Sequence, residues 1–218
     1  MFYVNYPLGV DLRNTITLSA LSEYSKVPQS FNIDSNNSIS SYSYNEISGV
    51  PDYSQEDNNY LTGNACVPTS AANVLMYWDK NGYGNMVFGS WQGAANLLAT
   101  SVYFDYTPNG GVTKSKIVPG LKKWLTVANR GYGNYFSISR DSNPSFNTIK
   151  GLVDGGDPSM MSVHMGQTLD HNVTIVGYEV LNNYTHRVIV HDNYKSTPKQ
   201  VYVLYESLAI TDVYKIIE

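Results

Sequence analysis

The sequence of 218 residues contains a single cysteine, Cys66. One thiol cannot form a disulfide within the chain, and it cannot supply the several sulfur ligands of a thiolate zinc site. The four histidines could in principle supply metal ligands in place of cysteines, but their spacing does not favour this. The closest two, His186 and His191, are five residues apart on a predicted strand and therefore point to opposite faces. We expect no disulfide, no metal site and no cofactor.

Charged residues are also scarce, at 15% of the chain, with a net charge of −4 and no cluster of lysine or arginine. Such a surface lacks the basic patch by which proteins bind nucleic-acid phosphates. Apolar runs are short, and none approaches the length needed to span a bilayer. The sequence therefore predicts neither a nucleic-acid partner nor a membrane span. Its length and 42% hydrophobic content are typical of a globular protein, which we expect to be a monomer.

Tyrosine is abundant, with 19 residues, and asparagine and serine are frequent. Together with the scarcity of charge, this composition resembles that of exported bacterial proteins, so we expect an extracellular or cell-surface location. Residues 1–6 have neither the basic start nor the apolar core of a secretory signal peptide. Either such a signal has been removed from this chain or the protein stays inside the cell.

Cys66 lies where a polar stretch turns into a predicted helix. Apolar residues recur there at helical spacing, namely Val67, Ala71, Val74, Leu75 and Trp78. Pro68 suits the first turn, where an N–H has no helical partner. A cysteine at the amino end of a buried helix meets unpaired N–H groups and the positive end of the helix dipole, which favour a thiolate. Cys66 is therefore the candidate nucleophile, although a lone buried cysteine is more often a small hydrophobic residue.

Predicted helices come mainly before predicted strands. The helices cover residues 18–24, 90–104, 117–128 and 145–153, and the third is expected to start near Pro119 because proline is best tolerated in a first turn. Segments rich in Val, Ile and Tyr predict strands at residues 135–138, 159–163, 173–180, 187–190, 200–205 and 213–217. This order predicts an α+β fold, with a helical half packed against an antiparallel sheet and a cleft between them.

The first 48 residues differ from the rest of the chain because a polar connector without periodicity occupies residues 35–41. We expect residues 1–48 to wrap around a domain formed by residues 49–218. A pro-segment and an additional lobe edge are the alternatives for this N-terminal segment.

His171 begins an apolar strand, which a short turn connects to a strand ending in Asp192 and Asn193. If Asn182-Asn183 is a two-residue hairpin loop, His171 faces Tyr194. Asp192 then lies on the same sheet face as His171, one diagonal step away, and Asn193 points to the other face. A one-residue bulge would exchange these faces, so either residue could orient the imidazole, and the simple register favours Asp192. A histidine held in this way can act as the base for a cysteine nucleophile.

Four segments follow one another in a characteristic order: Val50–Gln55, Asn64–Ser70, Asp170–Tyr178 and Val190–Asn193. They resemble the VPxxxQ segment, the CGPTS-like helix start, the H-apolar-GY strand and the later strand ending in DP of the C39-like branch of papain-fold cysteine peptidases. The match runs from about residue 50 to 205. Streptopain-like and staphopain-like peptidases share the order glutamine, cysteine, histidine, so the resemblance specifies the fold more closely than the subfamily.

The resemblance implies a papain-like fold and a cysteine peptidase. It implies that Cys66 is the nucleophile, that His171 is the base, and that Asp192 orients His171. It also implies that Gln55 donates its side-chain amide to the oxyanion beside the Cys66 N–H.

The sequence departs from the family pattern at three points. Val67 stands where a glycine usually follows the cysteine, and Asn193 stands where the family has proline. Residues 56–62 lengthen the interval between the glutamine and the cysteine. These departures bear on the shape of the cleft and on the reach of the Gln55 side chain.

We expect the protein to hydrolyse peptide bonds in peptide or protein substrates through a thioester acyl-enzyme. One alternative is a peptidoglycan amidase or acyltransferase, since such enzymes use the same pair of cysteine and histidine. The departures from the family pattern motivate a second alternative, a binding or inhibitory domain with weakened catalysis.

Overall fold

The computed structural model describes residues 43–61, 63–127, 131–165, 169–182, 185–207 and 210–218. The helix predicted at residues 18–24 and most of the N-terminal segment 1–48 lie outside these ranges. The part of that segment that is described contains a strand, Ser43–Glu46, which the sequence pattern did not predict. Ile47 and Val50 lie in a hydrophobic core, so the chain is already part of the domain here. The boundary at residue 48 stays a prediction.

The described residues form four helices and seven strands. The helices are α1 Cys66–Lys80, α2 Trp91–Ala99, α3 Lys114–Thr126 and α4 Phe146–Gly155. The strands are β1 Ser43–Glu46, β2 Ser137–Asp141, β3 Ser159–Met165, β4 Leu169–Asn182, β5 Thr185–His191, β6 Val201–Leu204 and β7 Ile210–Ile217. Short 3-10 turns occupy Gln55–Asp57, Tyr132–Asn134 and Tyr205–Ser207. Within the described ranges, no helix is both long and apolar enough to cross a membrane.

The seven strands form one antiparallel sheet in the order β2-β7-β3-β4-β5-β6, and β1 pairs with β4. Strand β4 is the longest of them, and it pairs with β5 on one edge and with β3 and then β1 on the other. His171 lies near the start of β4, where Val163 of β3 is its partner across the ladder. Pairing of the β4 backbone therefore holds this histidine at a defined position in the sheet.

Hydrophobic residues pack on both faces of the sheet. One core joins α4 to the sheet, for example through Ile149 and Val173. The other joins α1, α2 and α3 to the opposite face, for example through Leu75, Trp124 and Tyr214. The predicted α+β arrangement is confirmed, and the sheet is a middle layer because α4 covers the face away from the other helices.

Helix α3 begins at Lys114, five residues before Pro119, so the expected start near this proline is wrong. Pro119 has no N–H to donate to the carbonyl of Ser115, the residue four positions earlier. Ser115 is exposed in the first turn, where water can solvate its carbonyl. The loss of one helical hydrogen bond is therefore tolerated at this position.

Candidate active site

Cys66 is the first residue of α1, and its side chain is buried. The preceding residue, Ala65, provides no side-chain cap for the helix. Burial raises the pKa of the Cys66 thiol, and the backbone N–H groups of Asn172 and Val67, which act to lower it, only partly offset this effect. The thiol therefore rests in its neutral form. The helix dipole by itself favours a thiolate, but burial removes the solvation that a thiolate needs.

His171 is buried and is held by two contacts with the loop after β5. Its Nε2 lies 2.7 Å from the backbone carbonyl oxygen of Asp192. Because a carbonyl only accepts hydrogen bonds, Nε2 carries the proton in the neutral ring and Nδ1 keeps its lone pair. The ring also stacks on Tyr194, with centroids 4.8 Å apart and planes inclined by 13°. Burial lowers the pKa of His171 to about 4, opposed by the hydrogen bond to Asp192.

Cys66 and His171 line one cleft with a volume of about 740 Å³. The N–H of Asn172, the residue after His171, lies close enough to the thiol to affect its pKa. The cleft thus brings the predicted nucleophile and base together from α1 and β4. Val67, which replaces the family's glycine, lines the cleft and packs in the helical core. Its side chain forms part of the wall and leaves the cleft open.

The register of β4 and β5 near the site is the one that the sequence predicted, with Thr174 opposite His191. The turn differs from the prediction, because the last pair before it is Asn182 with Thr185. Two irregularities in the ladder, one between Val180 and Asn182 and one before Gly177, shift the pairing back. The predicted strand register at His171 is therefore correct, but it results from a displaced turn and two bulges that compensate for it.

Asp192 contacts His171 through its main chain, whereas the resemblance implied contact through its side chain. The carboxylate Oδ1 accepts hydrogen bonds from the backbone N–H of Tyr194, at 3.1 Å, and from Oγ1 of Thr197, at 2.6 Å. Oδ2 is buried and has no hydrogen-bond partner among the described residues. Burial raises the pKa of Asp192 to about 6. The side chain thus shapes the loop that positions the carbonyl and the Tyr194 ring.

Asn193, the alternative orienting residue, is fully buried and joins α1 to β4. Its Nδ2 donates to Oγ of Ser70 and to the carbonyl of Asn172, both at 2.8 Å, and lies 3.4 Å from the carbonyl of Cys66. Its Oδ1 accepts from Nδ2 of Asn73 at 3.1 Å. We call the side chains of Asn193, Ser70 and Asn73 the amide network. It fixes the start of α1 against the strand that carries the imidazole.

Sequence reasoning did not identify Ser70 and Asn73. Both are fully buried polar residues, three positions apart on a helix whose other buried residues are mostly apolar. Polar side chains at helical spacing within a buried surface must find partners there. This pattern could have indicated that Ser70 and Asn73 have buried partners. It could not indicate that their shared partner, Asn193, lies more than a hundred residues later in the chain.

Gln55 begins the 3-10 turn before α1, and its backbone N–H donates to the carbonyl of Asn193 at 3.0 Å. Upstream, Nδ1 of His191 lies 2.8 Å from the carbonyl of Pro51, so the end of β5 holds this loop at a second point. Oε1 of Gln55 is buried without a hydrogen-bond partner in the described structure. Gln55 is not among the described residues that line the cleft. Its backbone is fixed beside the site, and its contact with substrate stays a prediction.

Two of the residues that lengthen the interval between Gln55 and Cys66, Glu56 and Asp57, contact the loop after β5. Oε2 of Glu56 accepts a hydrogen bond from the backbone N–H of Lys195 at 2.9 Å. The Lys195 ammonium also forms an ion pair with Asp57. The additional length therefore connects the Gln55 turn to the loop that holds His171.

Ionisable side chains also line the cleft. They come from the start of α3 and from the strands β2, β3 and β4: Lys114, Arg140, His164 and Asp170. They pair with one another and with the buried Asp212. Over the part of the chain that is described, no group of three or more His, Cys, Asp or Glu residues could hold a metal ion.

Comparison with known proteins gives a family match over most of the chain. The sequence model of the Peptidase_C39 like family matches residues 47–218. A candidate C39-like peptidase from Bacillus anthracis is similar in structure, with a TM-score of 0.53 and 17% identity over 79% of this chain and 97% of that one. A recombinant stem bromelain precursor is less similar, with a TM-score of 0.37 and 16% identity over 79% of this chain and 72% of that one. No curated protein matches the sequence.

The family match covers the segments on which the sequence resemblance was based. The similarity to the Bacillus anthracis structure concerns the fold alone, since the identity is low. Together with the mixed helices and antiparallel sheet, these findings confirm the predicted papain-like α+β fold.

Proposed function

Since the chain belongs to the Peptidase_C39 like family, we propose that it cleaves peptide bonds with Cys66 as nucleophile and His171 as general base. One observation carries this proposal: both side chains line a single cleft. The hydrogen bond from Nε2 of His171 to the carbonyl of Asp192 supports it, because Nδ1 is left with the lone pair that a base requires.

The first half of the proposed reaction forms a thioester. Burial raises the pKa of the Cys66 thiol and lowers that of His171, so both groups start uncharged. The thiol proton moves to Nδ1 of His171 as Sγ bonds to the substrate carbonyl carbon, whose double-bond electrons pass to the oxygen. When the carbonyl re-forms, the C–N bond breaks and the imidazolium gives its proton to the departing amine.

The second half releases the acyl group. Nδ1 of His171 takes a proton from a water molecule as the water oxygen bonds to the thioester carbon. The C–S bond then breaks, the proton returns to sulfur, and a carboxylic acid leaves. Cys66 and His171 are thereby restored to their uncharged forms.

Two donors are proposed for the developing oxyanion: the backbone N–H of Cys66 and the side-chain amide of Gln55. The Gln55 side chain must turn toward the cleft to donate. Its Oε1 has no hydrogen-bond partner among the described residues, so this rotation breaks no described bond at that atom. The backbone bond from Gln55 to Asn193 keeps the turn in place while the side chain moves.

Hydrolysis of a mixture of fluorogenic peptides by purified protein tests the proposal. Cys66→Ala should abolish turnover, and His171→Ala should lower kcat by about 100-fold to 10,000-fold, the usual contribution of a general base. His186→Ala, which removes a histidine at the far end of the β4–β5 hairpin, should leave kcat unchanged. Hydrolysis that persists in the Cys66→Ala protein would overturn the assignment.

A trapped intermediate provides a second test. A peptide thioester or activated ester should add its acyl mass to Cys66, and hydroxylamine should remove it. Purified cell walls are tested in parallel as a second substrate. Loss of wall turbidity while casein and the peptides stay intact would show the amidase alternative instead.

A further inference from the structure

The cleft contains a cationic group that the proposed chemistry does not use. Arg140, on β2, lines the cleft, and its side chain is 38% exposed. Its Nε donates to Oδ1 of Asp212 at 2.6 Å. The side chain of Asp212 is only 2% exposed, so a buried carboxylate anchors one edge of the guanidinium.

The other donors of Arg140 are available to a ligand. A guanidinium carries five N–H groups, and the Nε bond uses one of them. The four hydrogens on the two Nη atoms have no hydrogen-bond partner within the described residues. The bond at Nε restrains the guanidinium, and the Nη groups provide the planar fork of donors that suits a carboxylate.

The neighbouring charges are already matched. The Lys114 ammonium lies 3.2 Å from Asp170, 3.0 Å from Asp212 and 3.1 Å from Oγ1 of Thr211, which accounts for its three hydrogens. Asp170 is bound by Lys114 through Oδ2 and by Nδ1 of His164, at 2.8 Å, through Oδ1. Among the cationic side chains that line the cleft, Arg140 is therefore the one with N–H donors that have no partner in the described structure.

We propose that Arg140 binds a carboxylate of the substrate, so that the enzyme selects for peptides that place a carboxylate at this point of the cleft. The inference rests on the proposed peptidase function, since it names a substrate class for the same cleft. The carboxylate belongs either to a glutamate or aspartate side chain or to the carboxyl end of a peptide. Both sources present the same planar anion to the fork.

Matched peptides measure this preference directly. One series carries Glu or Gln at each position in turn, and a second carries a free or an amidated carboxyl end. We expect kcat/KM to be about tenfold higher for the best Glu peptide, or for the free carboxyl end, than for its uncharged counterpart. The series that shows the preference identifies the source of the carboxylate.

Three variants assign the preference to Arg140. Arg140→Gln should bring the ratio of the two kcat/KM values close to one, and Arg140→Lys, which keeps the charge but loses the fork, should give an intermediate ratio. Lys116→Gln removes a lysine from the exposed side of α3, outside the cleft, and should retain the wild-type ratio. Each ratio is measured within one preparation, so it does not depend on how much of a variant is folded.

Binding to the Cys66→Ala protein separates this proposal from the peptidase assignment. The Glu or free-carboxyl peptide should bind about tenfold more tightly than its counterpart by fluorescence anisotropy, and adding Arg140→Gln should remove the difference. This result without any hydrolysis by the wild-type protein would support the subsite and overturn the peptidase. Equal binding, no binding, or a preference for lysine peptides would overturn the subsite even if hydrolysis occurs.

Discussion

Two polar networks hold the cleft, and they differ in charge. The amide network around Asn193 consists of uncharged amides and hydroxyls, and it joins α1 to β4 beside Cys66 and His171. The network around Asp212 is ionic and holds Arg140 and Lys114, which also line the cleft. Uncharged hydrogen bonds act at short range and are insensitive to salt, whereas ion pairs are screened by salt and depend on pH.

The charge of each network corresponds to the charge of the functional groups beside it. The thiol and the imidazole, which rest uncharged, lie beside the uncharged side chains of the amide network, which join α1 to β4. The ionic network lies where a fixed cation faces the cleft. Uncharged hydrogen bonds thus position Cys66 and His171, whereas ion pairs position the cationic side chains of the cleft.

Replacing Asn193 with alanine is the most direct way to break the amide network. We expect the free energy of unfolding to fall by about 3 kcal/mol, because several buried hydrogen bonds are lost and polar partners are left unsatisfied. The loss should be the same at low and high salt. Urea unfolding at pH 7 measures it.

The matched control is Asn85→Ala. Asn85 has nearly the same left-handed backbone, with φ of 70° against 66° for Asn193, but it is exposed. It should cost about 1 kcal/mol, the effect of alanine in that conformation. If Asn193→Ala costs no more than Asn85→Ala, the network does not stabilise the protein.

Asp192 is the carboxylate next to the amide network, so Asp192→Asn sharpens the comparison. Burial raises its pKa to about 6, which means that the folded protein binds a proton more tightly than the unfolded chain. The wild-type free energy of unfolding should therefore fall, relative to Asp192→Asn, by about 2 kcal/mol as the pH rises from 4 to 7. Burial lowers the pKa of His171 and produces the opposite trend, but it does so in both proteins.

Urea unfolding at several pH values gives this difference. Asp52 is the control: its pKa is also raised to about 6, by burial and by the charge of Asp192, but its side chain is more accessible. Asp52→Asn should change the pH dependence less. A difference between wild type and Asp192→Asn that stays constant with pH would contradict the prediction.

Asp212→Asn weakens the ionic network, with the smallest expected effect of the three. We expect a loss of about 1 kcal/mol at low salt and neutral pH, because Arg140 and Lys114 are partly exposed and can be solvated by water. High salt should reduce the loss, in contrast to Asn193→Ala.

The pH dependence of this loss has a definite sign. Burial acts to raise the pKa of Asp212, but hydrogen bonds from Arg140 and Lys114 hold it below its usual range. Its contribution to stability is therefore present above the unfolded-state pKa and disappears as the pH falls through the lower folded-state value. Asp105→Asn, on an exposed pair with Lys116, is the control and should have no measurable effect. A salt-independent loss for Asp212→Asn would contradict the ionic description.

Local patterns were sufficient to predict the parts of the site that lie within one element. The apolar periodicity after Cys66 predicted α1, and the β4–β5 hairpin predicted that His171 meets Tyr194. That second result depended on two bulges compensating for a displaced turn. Bulges depend on packing around the strands, so periodicity alone could not reveal them.

The other parts of the site depend on contacts between distant segments. Strand β1 forms because β4 extends beyond β3 and offers an unpaired edge, which the four residues themselves do not indicate. Arg140 lies on a short strand whose neighbour β7 supplies Asp212 more than seventy positions later. Helix α3 accommodates Pro119 because its first turn is exposed. Each of these three features depends on residues that are distant in sequence or on solvent exposure in the folded protein, so the local sequence could not predict it.

The imidazole of His171 is anchored by a carbonyl, an atom that every amino acid possesses. A missense change at codon 192 therefore replaces the side chain but still encodes the acceptor. Mutational scans would under-report the importance of this position, and related sequences could vary there without losing the anchor. An insertion or deletion that displaces the loop backbone would remove it, and loss of the bonds from the Asp192 carboxylate to Tyr194 and Thr197 would loosen the loop that presents it.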